Sequence, residues 1–243
     1  MSFFDFPRRF DEKIPEMVDL PDANPDLLEG ELRNLRIINR RLGGLSAVRS
    51  ALLLLALKAD PSRTLHILDL ATGSGDQPVA LAHALTRLRR RAVFTAIDRN
   101  ERMLETARRI SGNSAKIRFE KGDILSPAYP DRSFDIVLCS LAIHHFSWND
   151  ATRILRQMDR LCRIGFVLCD LSRSRLAVLG AWAYTHLTTT NIMTRKDAVA
   201  SVLAAFTKEE LAALATDAGV GPLQIYTAPA FRLIALKEKH YAG

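Results

Sequence analysis

The chain has 243 residues, 48% hydrophobic and 25% charged, which suffices for one substantial core and excludes a disordered chain, a collagen-like repeat or a membrane bundle. Its formal net charge of +7 would suit a phosphate-rich partner, but the arginines fall in scattered doublets and one triplet, Arg89-Arg90-Arg91. That is the pattern of solvated helix faces, so no nucleic-acid partner is expected.

The start is punctuated by Pro7, Pro15, Pro21 and Pro25 among many acids and reads as an irregular lead-in, with order expected from about Asp26. Leu28, Leu32, Leu35 and Ile38 then recur at helical spacing, Gly43-Gly44 ends the pattern, and a second amphipathic stretch runs from Ser46 to Lys58. Residues 1–58 are thus expected to be a lead-in and helical cap, with residues 59–243 forming the main domain. There, short apolar runs alternate with helical patterns: strand Leu65–Leu70, helix Pro78–Leu88, strand Val93–Ile97, helix Glu101–Ile110, strand Ile117–Glu120. Strand Phe134–Cys139, helix Asn149–Leu161 and strand Ile164–Cys169 continue it. Such alternation predicts a doubly wound, Rossmann-like α/β sheet, mostly parallel, with helices on both faces. Helix Thr207–Ala218 is followed by strands Leu223–Tyr226 and Phe231–Leu236 around a short turn with Pro229. So short a connection forces the last two strands to pair antiparallel.

The strongest chemical signal is Leu65-His66-Ile67-Leu68-Asp69-Leu70-Ala71-Thr72-Gly73-Ser74-Gly75-Asp76, an apolar strand running into a glycine-bearing turn and then a helix. Ligands of an open parallel sheet bind at the carboxyl ends of its strands, and Gly73 and Gly75 remove side chains that would block them. Asp98 ends the next strand, roughly 20 residues beyond Gly75, where an acid that binds ribose hydroxyls is expected. Gly122-Asp123-Ile124 follows the third strand and offers an acceptor for an exocyclic amine beside an apolar face for a purine. The fourth strand delivers Ser140, Leu141, His144 and His145 to the same sheet edge.

With these residues in place, the segment from Leu65 to Cys169 resembles the class I S-adenosylmethionine-dependent methyltransferases. The resemblance implies S-adenosylmethionine as cofactor: Asp69, Gly73 and Gly75 on its methionyl part, Asp98 on the ribose, Asp123 and Ile124 around the adenine, with Ser140 joining this set. The glycine turn is especially similar to that of the ubiquinone and menaquinone biosynthesis methyltransferases. Ala71 replaces the first glycine of the commonest family pattern, and the flanking signatures of the quinone enzymes are absent, so their substrate does not carry over. A nicotinamide-dependent oxidoreductase is the rival on this fold, but its fingerprint needs a third glycine where Pro78 stands. A catalytically inactive nucleoside-binding module is the other alternative.

A sulfonium methyl is already electrophilic, so catalysis consists largely of holding a nucleophile in line with it. A phenol also needs a base, and histidine titrates in the right range. His144 and His145 are the candidates, His145 slightly preferred, although a histidine here can instead pack the strand end. Only Asp170 follows the fifth strand and no acid cluster accompanies it, so no metal is expected. Ser140-Leu141-Ala142-Ile143 does not resemble the Asn/Asp-Pro-Pro-aromatic motif of amino-methylating nucleic-acid enzymes.

The segment of about 173–206 lies where family members insert a helical lid over the acceptor, and its run Leu176–Leu187, with Trp182 and Tyr184, is either such a lid or an ordinary core helix. The expected acceptor is a small, largely apolar molecule, phenolic or polyketide-like, methylated on oxygen in preference to carbon, as in secondary metabolism. Cys139, Cys162 and Cys169 have no C-x-x-C spacing, which fits free thiols in a reducing cytosol. Residues 1–10 lack the apolar stretch of a secretory signal, and Ala51–Leu57 is far short of the ~20 residues that span a bilayer. A cytoplasmic chain without stable membrane insertion is expected, its oligomeric state left open.

Overall fold

The computed structural model of the protein describes residues 6–14, 16–20, 23–112 and 116–239. Helix α1 (Pro25–Arg41) starts where the Asn24 side chain accepts from the Asp26 and Leu27 N–H groups, with proline at its first position and Arg40 and Arg41 in its last turn. Gly43, at φ 80°, turns the chain into α2 (Gly44–Ala56). Strand β1 (Leu65–Leu70), α3 (Asp76–Arg87), β2 (Ala92–Asp98), α4 (Glu101–Ser111) and β3 (Ile117–Lys121) build one half of the sheet. The other half comprises β4 (Phe134–Ser140), α5 (Trp148–Leu161), β5 (Cys162–Leu171), α6 (Arg175–Thr188), α7 (Ile192–Ala204), α8 (Lys208–Asp217), β6 (Gln224–Ala228) and β7 (Arg232–Glu238).

The seven strands lie in the order β3-β2-β1-β4-β5-β7-β6. β1 pairs parallel with β2 and β4, β2 with β3, and β4 with β5, while β7 is antiparallel to both β5 and β6. This is the expected doubly wound sheet with an antiparallel C-terminal strand. The inner strands are apolar on both faces because each face is roofed. Leu52, Leu55, Leu81 and Leu85 of α2 and α3 pack on one side, and Ile154, Met158, Leu211 and Leu214 of α5 and α8 on the other. Strand order reverses at β1 and β4, so the turns leaving these two strands open onto one crevice, the place where such sheets bind ligands.

Three expectations change. The lead-in is structured well before Asp26: Arg9 N–H donates to Leu203 O at 3.0 Å, and a 3-10 turn at Met17–Asp19 is held by the Asp197 carboxylate, which accepts from Met17 N at 3.0 Å and Val18 N at 2.9 Å. Residues 1–5, Pro15 and Pro21 lie outside the described residues. The run Leu176–Leu187 forms α6 but is no core helix, since of its residues only Ala177 and Thr185 are buried and Trp182 stands on the outer side. A second helix, α7, follows it. Its buried face carries Thr194, Asp197 and Ser201 beside Met193 and Val202, and these polar residues erase the apolar periodicity that would reveal a helix. Smaller shifts occur at element ends: α3 begins at Asp76 ahead of Pro78, whose missing N–H costs nothing in a first turn, and β5 is longer than the run Ile164–Cys169.

Candidate active site

The turn after β1 is fixed by two buried carboxylates. Asp69 Oδ2 accepts from Thr72 Oγ1 at 2.6 Å, and burial pushes the Asp69 carboxyl up to about 7 against that bond. Asp98, at the end of β2, accepts from Gly73 N at 2.8 Å and from Asn100 N at 2.9 Å, so one side chain ties the ends of both strands together. Burial raises its pKa despite these donors. Gly73 has φ 54° and open space where a side chain would stand, whereas a Cβ on Gly75 (φ 73°) would meet Ala107 at 2.8 Å and the Phe119 ring at 2.9 Å. Gly73 therefore clears the crevice and Gly75 permits close packing of α3, α4 and β3. Ala71 also sits at φ 54°, a backbone that a glycine adopts without strain.

The turn after β4 carries the histidines in a single 3-10 turn, Ile143–His145. His144 is buried, its Nδ1 2.6 Å from Asp170 Oδ1, and its backbone N–H donates to Asp170 Oδ2 at 3.2 Å. Asp170 also accepts from Leu171 N at 2.7 Å. With Nδ1–H donated to a carboxylate, Nε2 is the free base position. Burial opposes charge on the ring, but the charge and hydrogen bond of Asp170, joined by Glu16, outweigh it and raise the His144 pKa; reciprocally, His144 and the backbone donors hold Asp170 below the usual carboxylate range against its burial. His145 is stacked 4.2 Å from His144, and desolvation together with the neighbouring His144 charge lowers its pKa.

Glu16, from the lead-in, faces both rings, 3.8 Å from His144 Nε2 and 4.0 Å from His145 Nε2, and accepts from Ser201 Oγ at 2.6 Å. The donor atoms of Glu16, His144 and His145 lie within 4.8 Å of one another, a grouping that could take a metal ion. Arg8 clamps the turn from outside, donating to His144 O at 2.9 Å and Phe146 O at 2.8 Å, with its guanidinium 3.9 Å from the Phe206 ring centroid. Glu16 and Arg8 left no signal in the sequence, because neither belongs to a periodic segment. Asp170 was visible as the acid after the fifth strand, but its pairing with His144 depends on β4 and β5 being neighbours.

One cavity of about 650 Å³ joins the two turns. Asp69, Gly73, Asp98, Asp123, Ile124, Ser140, His144 and His145 all line it, whereas Gly75 lies behind it. Asp123 is exposed and uses Oδ1 to accept from Leu125 N at 2.9 Å; Ile124 is buried. Further acids reach the cavity: Glu16 from the lead-in, Glu31 from α1, Asp76 from α3 and Asp197 from α7. Burial, strengthened by the Asp197 charge and resisted by a hydrogen bond from Thr194, pushes Glu31 up to about 7. The Glu31 Oε2 and Gln77 Oε1 atoms are buried without a partner. Together with the open space at Gly73, these atoms suit a polar ligand lying along the turn.

A family model for methyltransferase domains matches residues 67–165. The demethylmenaquinone methyltransferase of Deinococcus radiodurans is 36% identical over 129 residues, covering 52% of this chain and 50% of that protein. An uncharacterized methyltransferase of Bacillus subtilis is 29% identical over 112 residues, 45% of this chain and 41% of its own. The chain thus spans about half the length of the curated relatives it matches. Among solved structures, the plantazolicin methyltransferase in complex with S-adenosylhomocysteine superposes with a TM-score of 0.66 at 17% identity, covering 92% of this chain and 94% of that one. The methyltransferase domain of the citrinin polyketide synthase gives 0.66 at 16% identity, covering 91% and 58%; at such identities the likeness is one of fold. Residues 67–165, which span the switch point of this sheet, match a methyltransferase domain.

Proposed function

We propose that the protein transfers a methyl group from S-adenosylmethionine to a small, largely apolar acceptor, phenolic or polyketide-like, on oxygen in preference to carbon. The observation that carries the reading is the single cavity connecting the glycine turn with the His144–Asp170 pair. Bound at that turn, the cofactor supplies an electrophilic methyl. Asp98 offers its remaining lone pairs to ribose hydroxyls, Asp69 and the Gly73 backbone lie along the methionyl part, Asp123 and Ile124 flank the adenine, and Ser140 faces the same space. His144 Nε2 takes the acceptor proton, and Asp170 fixes the ring and stabilises the imidazolium that forms. Helices α6 and α7, within residues 173–206, act as the lid. The acceptor reading places the enzyme in cytoplasmic secondary metabolism. No helix among the described residues is long and apolar enough to cross a membrane.

The cofactor assignment is checked by calorimetry. The protein is expected to bind S-adenosylmethionine and S-adenosylhomocysteine and not nicotinamide cofactors, and Asp98→Ala to weaken that binding by on the order of 1.5–3 kcal/mol, the range for hydrogen bonds to a charged group. Because Asp98 also holds Gly73 N, the variant's fold is verified by circular dichroism. Tight binding of NAD, or unchanged affinity for S-adenosylmethionine in Asp98→Ala, would overturn the assignment.

The acceptor class follows from the walls. Val18, Leu35, Ile38, Leu42, Ala181 and Phe231 form an apolar part of the cavity lining and offer no side-chain hydrogen bonds. They would leave the polar groups of a sugar or nucleoside unpaired at ~1–3 kcal/mol each, while an alkyl chain gains about 25 cal/mol for every Å² removed from water. In an assay with labelled methyl donor, an alkyl-substituted phenol should be methylated faster than a small catechol, with nucleosides, sugars and RNA inactive. Preference for RNA or a sugar would refute the reading.

A further inference from the structure

Helix α6 turns its apolar residues away from the protein. Leu176, Leu179, Trp182 and Leu187 are 54, 60, 51 and 86% exposed, and at 3.6 residues per turn they occupy a sector of roughly 140°. On the opposite side, Ala177, Tyr184 and Thr185 line the cavity. The helix is therefore a wall one layer thick, with the cavity behind it and, among the described residues, an exposed apolar stripe in front. Charge within the segment that carries the stripe is one-sided. Between Ser172 and Phe206 the sole carboxylate is Asp197, which is buried and accepts from the N–H groups of Met17 and Val18. The cations are placed at the two ends: Arg175 begins the helix, and Arg195 caps its end by donating to Thr189 O at 2.8 Å and His186 O at 3.2 Å, with Lys196 exposed beside it.

We propose that α6 docks on the surface of an anionic lipid bilayer, its Leu and Trp side chains entering the boundary between headgroups and acyl chains while the flanking cations meet lipid phosphates. Tryptophan and leucine on one face, cations at the rim and no exposed carboxylate between Ser172 and Phe206 are the composition of a helix that lies in a membrane interface. A second copy of the chain fits less well. Four side chains on one helix are a small part of the ~800 Å² per partner that a stable dimer buries, and two chains each carrying +7 repel one another where an anionic surface attracts them. The docking itself does not depend on the chemistry. Its consequence rests on the proposed function: an apolar acceptor partitions into the bilayer, and α6 sets that reservoir one helix away from the cavity.

The test is sedimentation of the full chain with phosphatidylcholine vesicles and with vesicles containing phosphatidylglycerol, without cofactor or acceptor, so that its outcome is independent of methyl transfer. Binding is expected to the anionic vesicles and to fall as salt rises. In a Trp148→Phe background, Trp182 emission should shift to the blue on binding. The double variant Leu176→Ser, Leu179→Ser changes exposed side chains only, so it should keep its circular dichroism spectrum and its activity on a water-soluble acceptor while losing vesicle affinity by about tenfold or more. No preference for anionic vesicles, or equal binding by the double variant, would overturn the proposal. So would light scattering that shows a vesicle-independent dimer broken by the same two substitutions, because the stripe would then be covered by a second copy.

Discussion

Replacing His144 by alanine is expected to lower turnover about 10²- to 10⁴-fold while leaving S-adenosylmethionine affinity nearly unchanged, the signature of a lost general base. Sequence reasoning puts His145 slightly ahead, whereas the proposed role of His144 rests on its geometry. His144 has its Nδ1 committed to Asp170 at 2.6 Å and its backbone gripped by Arg8 and Asp170, so the ring is held in one orientation. The Glu16 carboxylate lies 4.0 Å from His145 Nε2, a longer separation than that of His144 from Asp170, and burial lowers the pKa of the His145 ring. His145→Ala should therefore cost much less than His144→Ala. The pH profile adds a check that a merely structural role would not move. The base works as neutral imidazole, and Asp170 and Glu16 raise the His144 pKa despite its burial, so kcat should rise with pH and level off above that pKa. Asp170→Asn removes the charge that favours the imidazolium, which should lower both the plateau and the pH at which the acid limb falls. Normal turnover by His144→Ala would place the base elsewhere; a lower plateau with an unmoved limb would make Asp170 a packing residue.

Gly165→Ala is expected to cost about 3 kcal/mol of folding stability or more, among the largest effects a single methyl group can have. Gly165 lies in β5 opposite Glu238 of β7 and Ile136 of β4. A Cβ there would stand 2.1 Å from Lys237 O and 3.0 Å from Leu55 Cδ2. The first of these is a backbone oxygen in the neighbouring strand, which has no rotamer to yield, so the β5–β7 ladder must open to admit the methyl group. For a chain of this size such a loss lowers the melting temperature by roughly 6–12 °C, measurable by calorimetry or as a lower denaturant midpoint. An unchanged midpoint would show that β7 does not pair with β5 in this register.

Local pattern carried most of the fold. The alternation of short apolar runs with helical periods determined a roofed parallel sheet, because a strand buried on both faces must be apolar throughout and a helix covering it must be apolar on one side. The final antiparallel pair followed from a turn too short for a crossover. The strand-end wall of the cavity was legible for the same reason: Asp69, Gly73, Asp98, Asp123 and Ile124 sit at or just after strand ends, at spacings that the backbone imposes. The surroundings of the two histidines and the remaining buried acids were not. Glu16 and Arg8 come from a proline-rich lead-in without periodicity, Glu31 and Asp197 are buried acids on helices whose other residues say nothing of a cavity, and Asp170 meets His144 across 26 residues of chain.

What the sequence by itself determined is therefore the roofed sheet and the residues along the glycine turn, each set by interactions between near neighbours in the chain. Only the tertiary structure decided that Asp170 pairs with His144, that the lead-in brings Glu16 to both histidines, and that α6 faces outward. Burial and pairing of a polar side chain depend on what distant segments bring to it, and an apolar helix looks the same in sequence whether its exposed face meets a core or the solvent.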